Sequence, residues 1–325
     1  MKDSFGRRIN YLRISVTDRC NLRCRYCMPE EGVAAVSHED ILRFDEIERL
    51  ACIFAGLGVN RIRLTGGEPL VRRDLPQLAA RIKAIPGINF LGLTTNGILL
   101  PQHARQLWEA GVDGLNISLD TADPKRYAHL TRRDEWVQAW AGLQSALALP
   151  FPSIKLNCVL STDSLSADWL GVIELARKLP VEVRLIEWMP MSGENGQTAL
   201  RGDEALVMIE QRYGALTPLG QRMEGGPAHQ YKIEGFVGAI GIIPAMSQHF
   251  CASCNRIRLT AVGALKLCLF YDAGISLRSL LRSGADDRAI AGAIQTALAE
   301  KPEGHQGTVV RSGDCAACGM YQIGG

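Results

Sequence analysis

The chain has 325 residues, of which 47% are apolar and 22% charged, and it contains 36 basic and 34 acidic side chains. This composition is that of a globular protein with a full core, and it excludes the disordered and fibrous classes. The near balance of charge argues against a nucleic-acid-binding surface. No apolar run reaches the roughly 18 residues of a membrane span, and no apolar signal segment opens the chain. We therefore expect a cytoplasmic protein that does not enter a membrane.

Strand-like and helix-like patterns alternate along the first 189 residues. The predicted strands are 11–16, 61–65, 90–95, 114–119, 153–160 and 181–188. The predicted amphipathic helices between them are 45–57, 75–85, 101–110, 124–147 and 164–179. Because alternating strands and helices form right-handed βαβ units around a parallel sheet, the pattern predicts an α/β fold. Six units suggest an open (β/α)6 barrel, a partial relative of the eight-fold TIM barrel.

The predicted strands alternate polar and apolar residues, whereas parallel strands buried on both faces are continuously apolar. If the apolar rows pack on the helices, the polar rows line the barrel. The cations of these rows outnumber Asp120 and Glu182, and they are Arg13, Arg61, Arg63, Lys155 and Arg184. Such an interior suits a large polar anion, since low-dielectric walls focus the field of the cations. For any single strand, a solvated edge is the alternative.

The pattern changes after residue 189. Loop-rich stretches surround a predicted helix near 202–213. Short strands are predicted within 231–244 and 256–268, and helices within 275–283 and 285–300. We therefore predict that 1–189 form the barrel and 190–325 a C-terminal α+β extension.

Ten cysteines are many for a reducing compartment, where disulfides are rare. Two of them, Cys52 in a helical pattern and Cys158 in a strand-like run, are interpreted as small buried hydrophobes. The other eight form three groups by spacing: Cys20, Cys24 and Cys27 (C-x3-C-x2-C); Cys251, Cys254 and Cys268 (C-x2-C-x13-C); Cys315 and Cys318 (C-x2-C).

Three closely spaced thiolates suit an iron–sulfur centre. A [4Fe–4S] cluster is usually held by four cysteines, so three leave one iron open for an exogenous ligand. The alternative for the first group is a zinc site that takes a distant fourth ligand.

Two motifs carry a family resemblance. CNLRCRYC at 20–27 follows the first predicted strand, and GGEP at 66–69 follows the second; together they resemble the radical S-adenosylmethionine (SAM) superfamily. Within it the chain is similar to the GTP 3′,8-cyclases of molybdenum cofactor biosynthesis. The segments that match these cyclases in order are RISVTDRCNLRCRYCMP, RLTGGEPLVRRDL, GLTTNG, NISLD, FCASCNRIRLT and a terminal IGG. The resemblance covers nearly the whole chain.

The resemblance implies two [4Fe–4S] clusters and SAM as cofactors. The first cysteine group would hold a cluster whose open iron binds SAM, and the second group a cluster whose open iron binds the guanine of GTP. The implied SAM contacts are Tyr26, Gly66, Gly67, Glu68, Ser118 and Met189. The implied GTP contacts are Arg13, Arg63, Thr94, Lys155, Arg256 and Arg258. On a strand Arg256 and Arg258 point to the same side, and each presents a planar fork that suits phosphate.

The resemblance also implies a reaction. One electron splits SAM into methionine and a 5′-deoxyadenosyl radical, which takes the 3′ hydrogen of GTP. The C3′ radical attacks C8 of the same guanine, and one electron and one proton then complete 3′,8-cyclo-7,8-dihydro-GTP. Arg184 would supply the final proton or position the triphosphate. The implied catalytic residues are Arg13, Arg184, Arg256, Arg258 and the inserted tail, Gly324 and Gly325. The implied partners are GTP, an electron donor such as flavodoxin or ferredoxin, and a downstream enzyme that takes the cyclic nucleotide. A homodimer is compatible with the sequence.

Two other hypotheses stay open. One is a radical SAM enzyme that acts on a peptide, with an auxiliary cluster closed by four cysteines; the other is a non-catalytic iron–sulfur or zinc module. The matched motifs do not account for Cys315 and Cys318. These two could be free thiols, a redox pair, an accessory metal site or a fourth ligand that closes the second cluster.

Overall fold

The computed structural model describes residues 1–33, 36–160, 168–190, 199–220, 226–271 and 274–305. The strands in these ranges are β1 (Tyr11–Ser15), β2 (Arg61–Thr65), β3 (Phe90–Thr95), β4 (Gly114–Ser118), β5 (Ser153–Leu160), β6 (Glu182–Glu187), β7 (Leu216–Leu219), β8 (His229–Ile233), β9 (Ala239–Ile243), β10 (Arg256–Leu259), β11 (Ala264–Lys266) and β12 (Gly274–Ser276). The helices are α1 (Phe44–Gly56), α2 (Leu75–Lys83), α3 (Leu100–Glu109), α4 (Pro124–Thr131), α5 (Trp136–Leu147), α6 (Leu170–Lys178), α7 (Gly202–Tyr213), α8 (Leu277–Arg282) and α9 (Asp287–Ala299).

The described strands form one sheet in the order β12-β11-β10-β1-β2-β3-β4-β5-β6-β9-β8-β7. The eight strands from β10 to β9 in this order are parallel, and antiparallel strands continue the sheet at both edges. The six strands β1 to β6, each followed by helix, confirm the predicted partial (β/α)6 barrel.

The alternation of polar and apolar residues separates the two faces of the sheet. Along β5 every second residue, starting at Ile154, is buried, and the residues between them, such as Lys155, are only partly buried. The apolar row packs with the inner faces of the helices, for example with Val172 and Ile173 of α6, in one continuous core. The polar row is therefore left to line the barrel.

The predicted helix over 124–147 is two helices, because the chain turns between α4 and α5. Arg132 ends α4 in the left-handed conformation, with φ of 54°. Its guanidinium donates to the carbonyls of Arg23 and Met28, both at 3.0 Å. The interruption thus places a basic side chain against the loop that carries the first cysteine group.

The chain beyond residue 189 shares the sheet of the barrel. β10 pairs parallel with β1, and β9 pairs parallel with β6. β7 (Leu216–Leu219) was not predicted. Because strands from both parts are adjacent in one sheet, the division at residue 189 stays a prediction.

The two isolated cysteines differ in burial. Cys158 is fully buried, as predicted, and its thiol donates to the carbonyl of Asp120 at 3.4 Å. The prediction for Cys52 is wrong, because this residue is exposed. Successive helix residues are rotated by about 100°, so Cys52 points away from the core while its neighbour Ala51 lies in it.

No helix among the described residues combines the length and the apolar character that crossing a membrane requires.

Candidate active site

The carboxyl ends of β1 to β6 surround a cavity of about 180 Å³, which we call the upper cavity. All nine residues expected at the first cluster and at SAM line it: Cys20, Cys24, Cys27, Tyr26, Gly66, Gly67, Glu68, Ser118 and Met189. Thr94, expected at GTP, lies here as well, and its buried hydroxyl has no hydrogen-bond partner among the described residues.

The loop with the first cysteine group is held by backbone hydrogen bonds. The amides of Arg23 and Arg25 donate to the carbonyls of Thr131 and Leu130, both at 3.0 Å, and the amide of Cys27 donates to the carbonyl of Cys24 at 2.9 Å. The last two residues of α4 therefore hold the loop in place and keep its three thiols on one side of the cavity.

The three thiols line one cavity, as the ligands of a single [4Fe–4S] cluster would. Burial raises the pKa of Cys20 to about 11 and that of Cys24 well above its ordinary value. Such thiols stay protonated in water unless a metal replaces the proton. No three His, Cys, Asp or Glu side chains in the described ranges converge on one metal ion. A [4Fe–4S] cluster requires no such convergence, because each of its cysteines binds a different iron, so the group fits such a cluster.

The two glycines of GGEP are required for packing. A Cβ atom on Gly67 would lie 2.3 Å from the carbonyl oxygen of Arg19, and one on Gly66 would lie 2.6 Å from that of Thr17. The amide of Gly67 donates to the Thr17 carbonyl at 2.9 Å, and that of Glu68 donates to the Arg19 carbonyl at 2.7 Å. The loop after β2 thus supports the segment that leads into Cys20, in addition to the SAM contacts that the resemblance implies for Gly66 and Gly67.

Glu68 is a buried carboxylate held in one orientation. It accepts hydrogen bonds from the amide of Leu70 at 3.1 Å, the hydroxyl of Thr95 at 2.7 Å and the amide of Asn96 at 2.7 Å. Burial raises the pKa of Glu68 to about 7. No basic side chain in the described residues pairs with it, so a cationic group such as an ammonium would stabilise its charged form.

Sequence reasoning missed the role of Asp120. The hydroxyl of Tyr26 donates to Asp120 Oδ2 at 2.9 Å, and Asp120 Oδ1 accepts from the amide of Val159 at 2.8 Å. The carboxylate therefore orients the Tyr26 ring at the wall of the upper cavity. The position of Asp120 after β4 indicated that it lies near the site, but strand parity alone does not show which side chain it hydrogen-bonds.

The amino ends of the strands surround a larger cavity of about 520 Å³, which we call the lower cavity. Its wall includes the second cysteine group, Cys251, Cys254 and Cys268. Seven basic side chains of the described residues also line it: Arg13, Arg61, Arg63, Lys155, Arg184, Arg256 and Arg258. The fold thus brings together two sets of cations. The first set was assigned to the barrel interior by strand parity, and the second is Arg256 and Arg258, which lie between two cysteines of the second group in the sequence.

Strand pairing places three arginines side by side. Arg13 on β1 is opposite Arg63 on β2 and opposite Arg258 on β10. Burial and the Arg258 guanidinium lower the pKa of Arg13 well below its ordinary value, and burial with Arg256 lowers that of Arg258 to about 10. Like charges placed together in a sheet are destabilising. An anion bound between them would relieve this cost.

Gly92, which has no side chain, makes room for one of these cations. A Cβ atom on Gly92 would lie 2.7 Å from Cζ of Arg63. The guanidinium packs over this glycine, and its Nη1 donates to the carbonyl of Leu93 at 2.9 Å. Gly92 on β3 therefore makes room for a cation of the lower cavity, although nothing in its sequence context indicates this.

Glu182 links two further cations. It accepts from Nε of Arg184 at 2.6 Å and lies 3.4 Å from Nζ of Lys155. Arg184 and Lys155 thereby have their positions fixed before any anion is present.

The two cavities adjoin. Asn157, Ile186 and Met189 line both of them. The buried Oδ1 of Asn157 has no hydrogen-bond partner among the described residues. Ligands in the two cavities would therefore meet at this junction, where an amide is available to them. Asn157 was expected in the barrel interior but was not assigned to the site.

Four residues of the sequence analysis lie outside the described ranges: Cys315, Cys318, Gly324 and Gly325. Their roles stay predictions.

Comparisons with known proteins show the family of the chain. Residues 14–200 match the model of the radical SAM superfamily, and residues 181–307 match the model described as Molybdenum Cofactor Synthesis C. The crystal structure of Streptococcus suis SuiB bound to S-adenosylmethionine has a TM-score of 0.56 at 14% identity, over 91% of this chain and 70% of that one, which shows a shared fold. Fold and family model together define a radical SAM protein.

Curated relatives narrow the class. GTP 3′,8-cyclase of Pelotomaculum thermopropionicum is 47% identical over 94% of this chain and 95% of its own length. GTP 3′,8-cyclase of Moorella thermoacetica is 44% identical over 100% of both chains. Molybdenum cofactor biosynthesis protein 1 of Mus musculus is 42% identical over 94% of this chain and 48% of its own. The chain belongs to the GTP 3′,8-cyclase family of the radical SAM superfamily.

Proposed function

We propose that the protein is a GTP 3′,8-cyclase, which forms 3′,8-cyclo-7,8-dihydro-GTP in the first step of molybdenum cofactor biosynthesis. The observation that carries the proposal is the junction of two cavities. One contains a three-cysteine group suited to a cluster with an open iron, and the other combines a second such group with seven basic side chains. The family relationship supports the same activity.

The cofactors are iron–sulfur clusters and SAM. Cys20, Cys24 and Cys27 would hold one [4Fe–4S] cluster, and Cys251, Cys254 and Cys268 the other. When bound, the first cluster and SAM supply a 5′-deoxyadenosyl radical. Glu68 is suited to the ammonium of SAM because it is a buried carboxylate without a cationic partner among the described residues, and Tyr26 is oriented by Asp120.

The lower cavity would hold GTP. Arg13, Arg63 and Arg258 form a cationic row that suits the triphosphate, since guanidinium groups pair with phosphate oxygens through two N–H donors. Anion binding releases the repulsion within this row. Asn157 at the junction can meet a sugar hydroxyl with its amide, which would orient the ribose toward the upper cavity. Positioning of this kind is the main contribution of the protein to an intramolecular ring closure.

The affinity for GTP should fall as the pH rises through about 8. Burial and the Arg184 guanidinium lower the pKa of Lys155 to about 8. A bound triphosphate favours the ammonium and raises this pKa again, so binding takes up a proton above pH 8. We expect Lys155→Arg to make the pH dependence shallower, because arginine stays charged. Equilibrium binding between pH 6.5 and 9.5 measures this, with the exposed Lys178→Arg as the matched control. A profile identical to that of the unmodified protein would contradict the role of Lys155.

The function itself is tested by anaerobic turnover with SAM, a low-potential reductant and GTP. We expect 5′-deoxyadenosine and the cyclised nucleotide, formed only when GTP is present, from protein with two [4Fe–4S] clusters, about eight irons per chain. Absence of 5′-deoxyadenosine with GTP would refute the substrate, and zinc in place of iron would refute the enzyme class.

The proposal extends to partners. Reductive cleavage of SAM consumes electrons, so we assign a low-potential donor such as flavodoxin or ferredoxin, and a downstream enzyme that uses the cyclic product. A homodimer and a reducing, cytoplasmic compartment complete the proposal, the latter because the cysteines that bind the clusters must not be oxidised to disulfides.

A further inference from the structure

Tyr11, which the sequence analysis did not assign, opens β1 and lines the lower cavity. In the sheet it is opposite Arg61 on β2 and Arg256 on β10. Residues two apart on a strand share a face, so Tyr11 lies beside the arginine row that contains Arg13. A phenol therefore stands among the cations of the anion site.

Among the described residues, the hydroxyl of Tyr11 has a hydrogen-bond donor but no acceptor. Its oxygen accepts a hydrogen bond from Nε of Arg63 at 2.7 Å. Within the described ranges, no acceptor lies in hydrogen-bond contact with the hydroxyl hydrogen. Because a tyrosine hydroxyl both donates and accepts, one half of its capacity is left for a ligand in the cavity.

The surroundings strengthen this hydroxyl as a donor. Burial raises the pKa of Tyr11, but the charges of Arg63 and Arg13, the hydrogen bond from Arg63 and the charge of Arg256 outweigh it and lower the pKa to about 8. A more acidic phenol donates a stronger hydrogen bond to an anionic oxygen. In its ionised form the same group would repel an anion.

We propose that the hydroxyl of Tyr11 donates a hydrogen bond to a phosphate oxygen of the bound nucleotide while it accepts one from Arg63. Tyr11 is then a substrate-binding residue that aligns the triphosphate with the arginine row. Phosphate is the acceptor indicated, because the groups nearest to the phenol are guanidinium cations that recruit anions. This inference rests on the proposed function, since it requires a nucleoside triphosphate in the lower cavity.

The test is Tyr11→Phe in the full chain with both clusters reconstituted anaerobically. A hydrogen bond to a charged group contributes about 1.5 kcal/mol or more, so we expect the Kd for GTP to rise about tenfold. Guanosine has no phosphate and should bind to the variant as to the unmodified protein. Iron content and SAM binding should not change. Tyr213→Phe is the matched control, because the hydroxyl of Tyr213 contacts Leu170 on the outside of the barrel.

The pH dependence separates a contact from a structural effect. In the unmodified protein, deprotonation makes Tyr11 an anion and Lys155 neutral, and both changes weaken GTP binding above about pH 8. In Tyr11→Phe, only the part of this loss of GTP affinity that comes from Lys155 should remain. If the variant fails to hold its clusters, a fluorotyrosine at position 11 replaces it; this residue lowers the phenol pKa at nearly unchanged size and should move the midpoint of the loss to lower pH.

The outcomes are distinct. Equal GTP affinity of Tyr11→Phe and the unmodified protein, or a fluorotyrosine midpoint that does not move, would overturn the role of Tyr11 while the proposed function stands. Equal losses of GTP and guanosine binding would also overturn it, because they indicate a structural role. Failure of the unmodified protein to bind GTP would instead refute the proposed function.

Discussion

Cys24→Ala is expected to abolish SAM cleavage and to remove about half of the bound iron, while the second cluster remains. Cys254→Ala should have the opposite pattern, with the first cluster kept and GTP cyclisation lost. The reason is spatial, since the two cysteine groups line different cavities. The measurements are iron and sulfide content, the electron paramagnetic resonance of the reduced clusters, and the yields of 5′-deoxyadenosine and cyclised nucleotide. Cys52→Ala is the control, because Cys52 is exposed on α1 and belongs to neither group.

The Cys254 variant also tests the cysteines near the C-terminus. A variant that keeps two intact clusters would show that another residue, such as Cys315 or Cys318, can serve as a ligand. Loss of both clusters from either single variant would contradict the assignment of two independent sites.

Gly67→Ala is expected to destabilise the fold and to empty the first cluster site. The added methyl would lie 2.3 Å from the carbonyl oxygen of Arg19 and 2.9 Å from that of Asp18, and these are backbone atoms that cannot turn aside. Overpacking of this kind costs about 3 kcal/mol, and relief of the clash would move the segment that leads into Cys20. Thermal unfolding should show a lower Tm, and iron content should fall by about half.

Gly292→Ala is the matched control for this substitution. Gly292 lies on α9 with no atom within 4 Å of an added Cβ. Alanine at a helical position is more favourable than glycine by about 1 kcal/mol, so this variant should be as stable as the unmodified protein or more so. A Gly67→Ala protein with unchanged Tm and a full complement of iron would contradict the packing role of the GGEP loop.

The family relationship and the cavity chemistry support each other at particular residues. Eight residues expected from the family, from Cys20 to Ser118, line the upper cavity alone, and Met189 lies at the junction. Thr94 departs from this agreement, since it was expected at GTP but lines the upper cavity. Thr94 lies one residue before the carboxyl end of β3, and strand parity does not predict how far along the barrel a residue lies.

Local patterns in the sequence were sufficient for the elements that nearby residues determine. Strands β1 to β6, the ligand spacing of Cys20, Cys24 and Cys27, and the cation on the polar face of β5 follow from periodicity and short-range spacing. A period of two assigns a face to each side chain without reference to the rest of the molecule.

Only the tertiary structure decided which distant residues meet. The pairing of β10 with β1 places Arg258 next to Arg13, although these two residues are 245 positions apart in the sequence. The clearance of Gly92 for Arg63, the space beside Gly67 and the open hydroxyl of Tyr11 depend in the same way on contacts between strands or loops. Such contacts follow from long-range packing, which leaves no periodic signal in one sequence. The alternation of strands and helices already predicted the fold class, and cysteine spacing indicated a metal centre whose chemistry the family resemblance then specified.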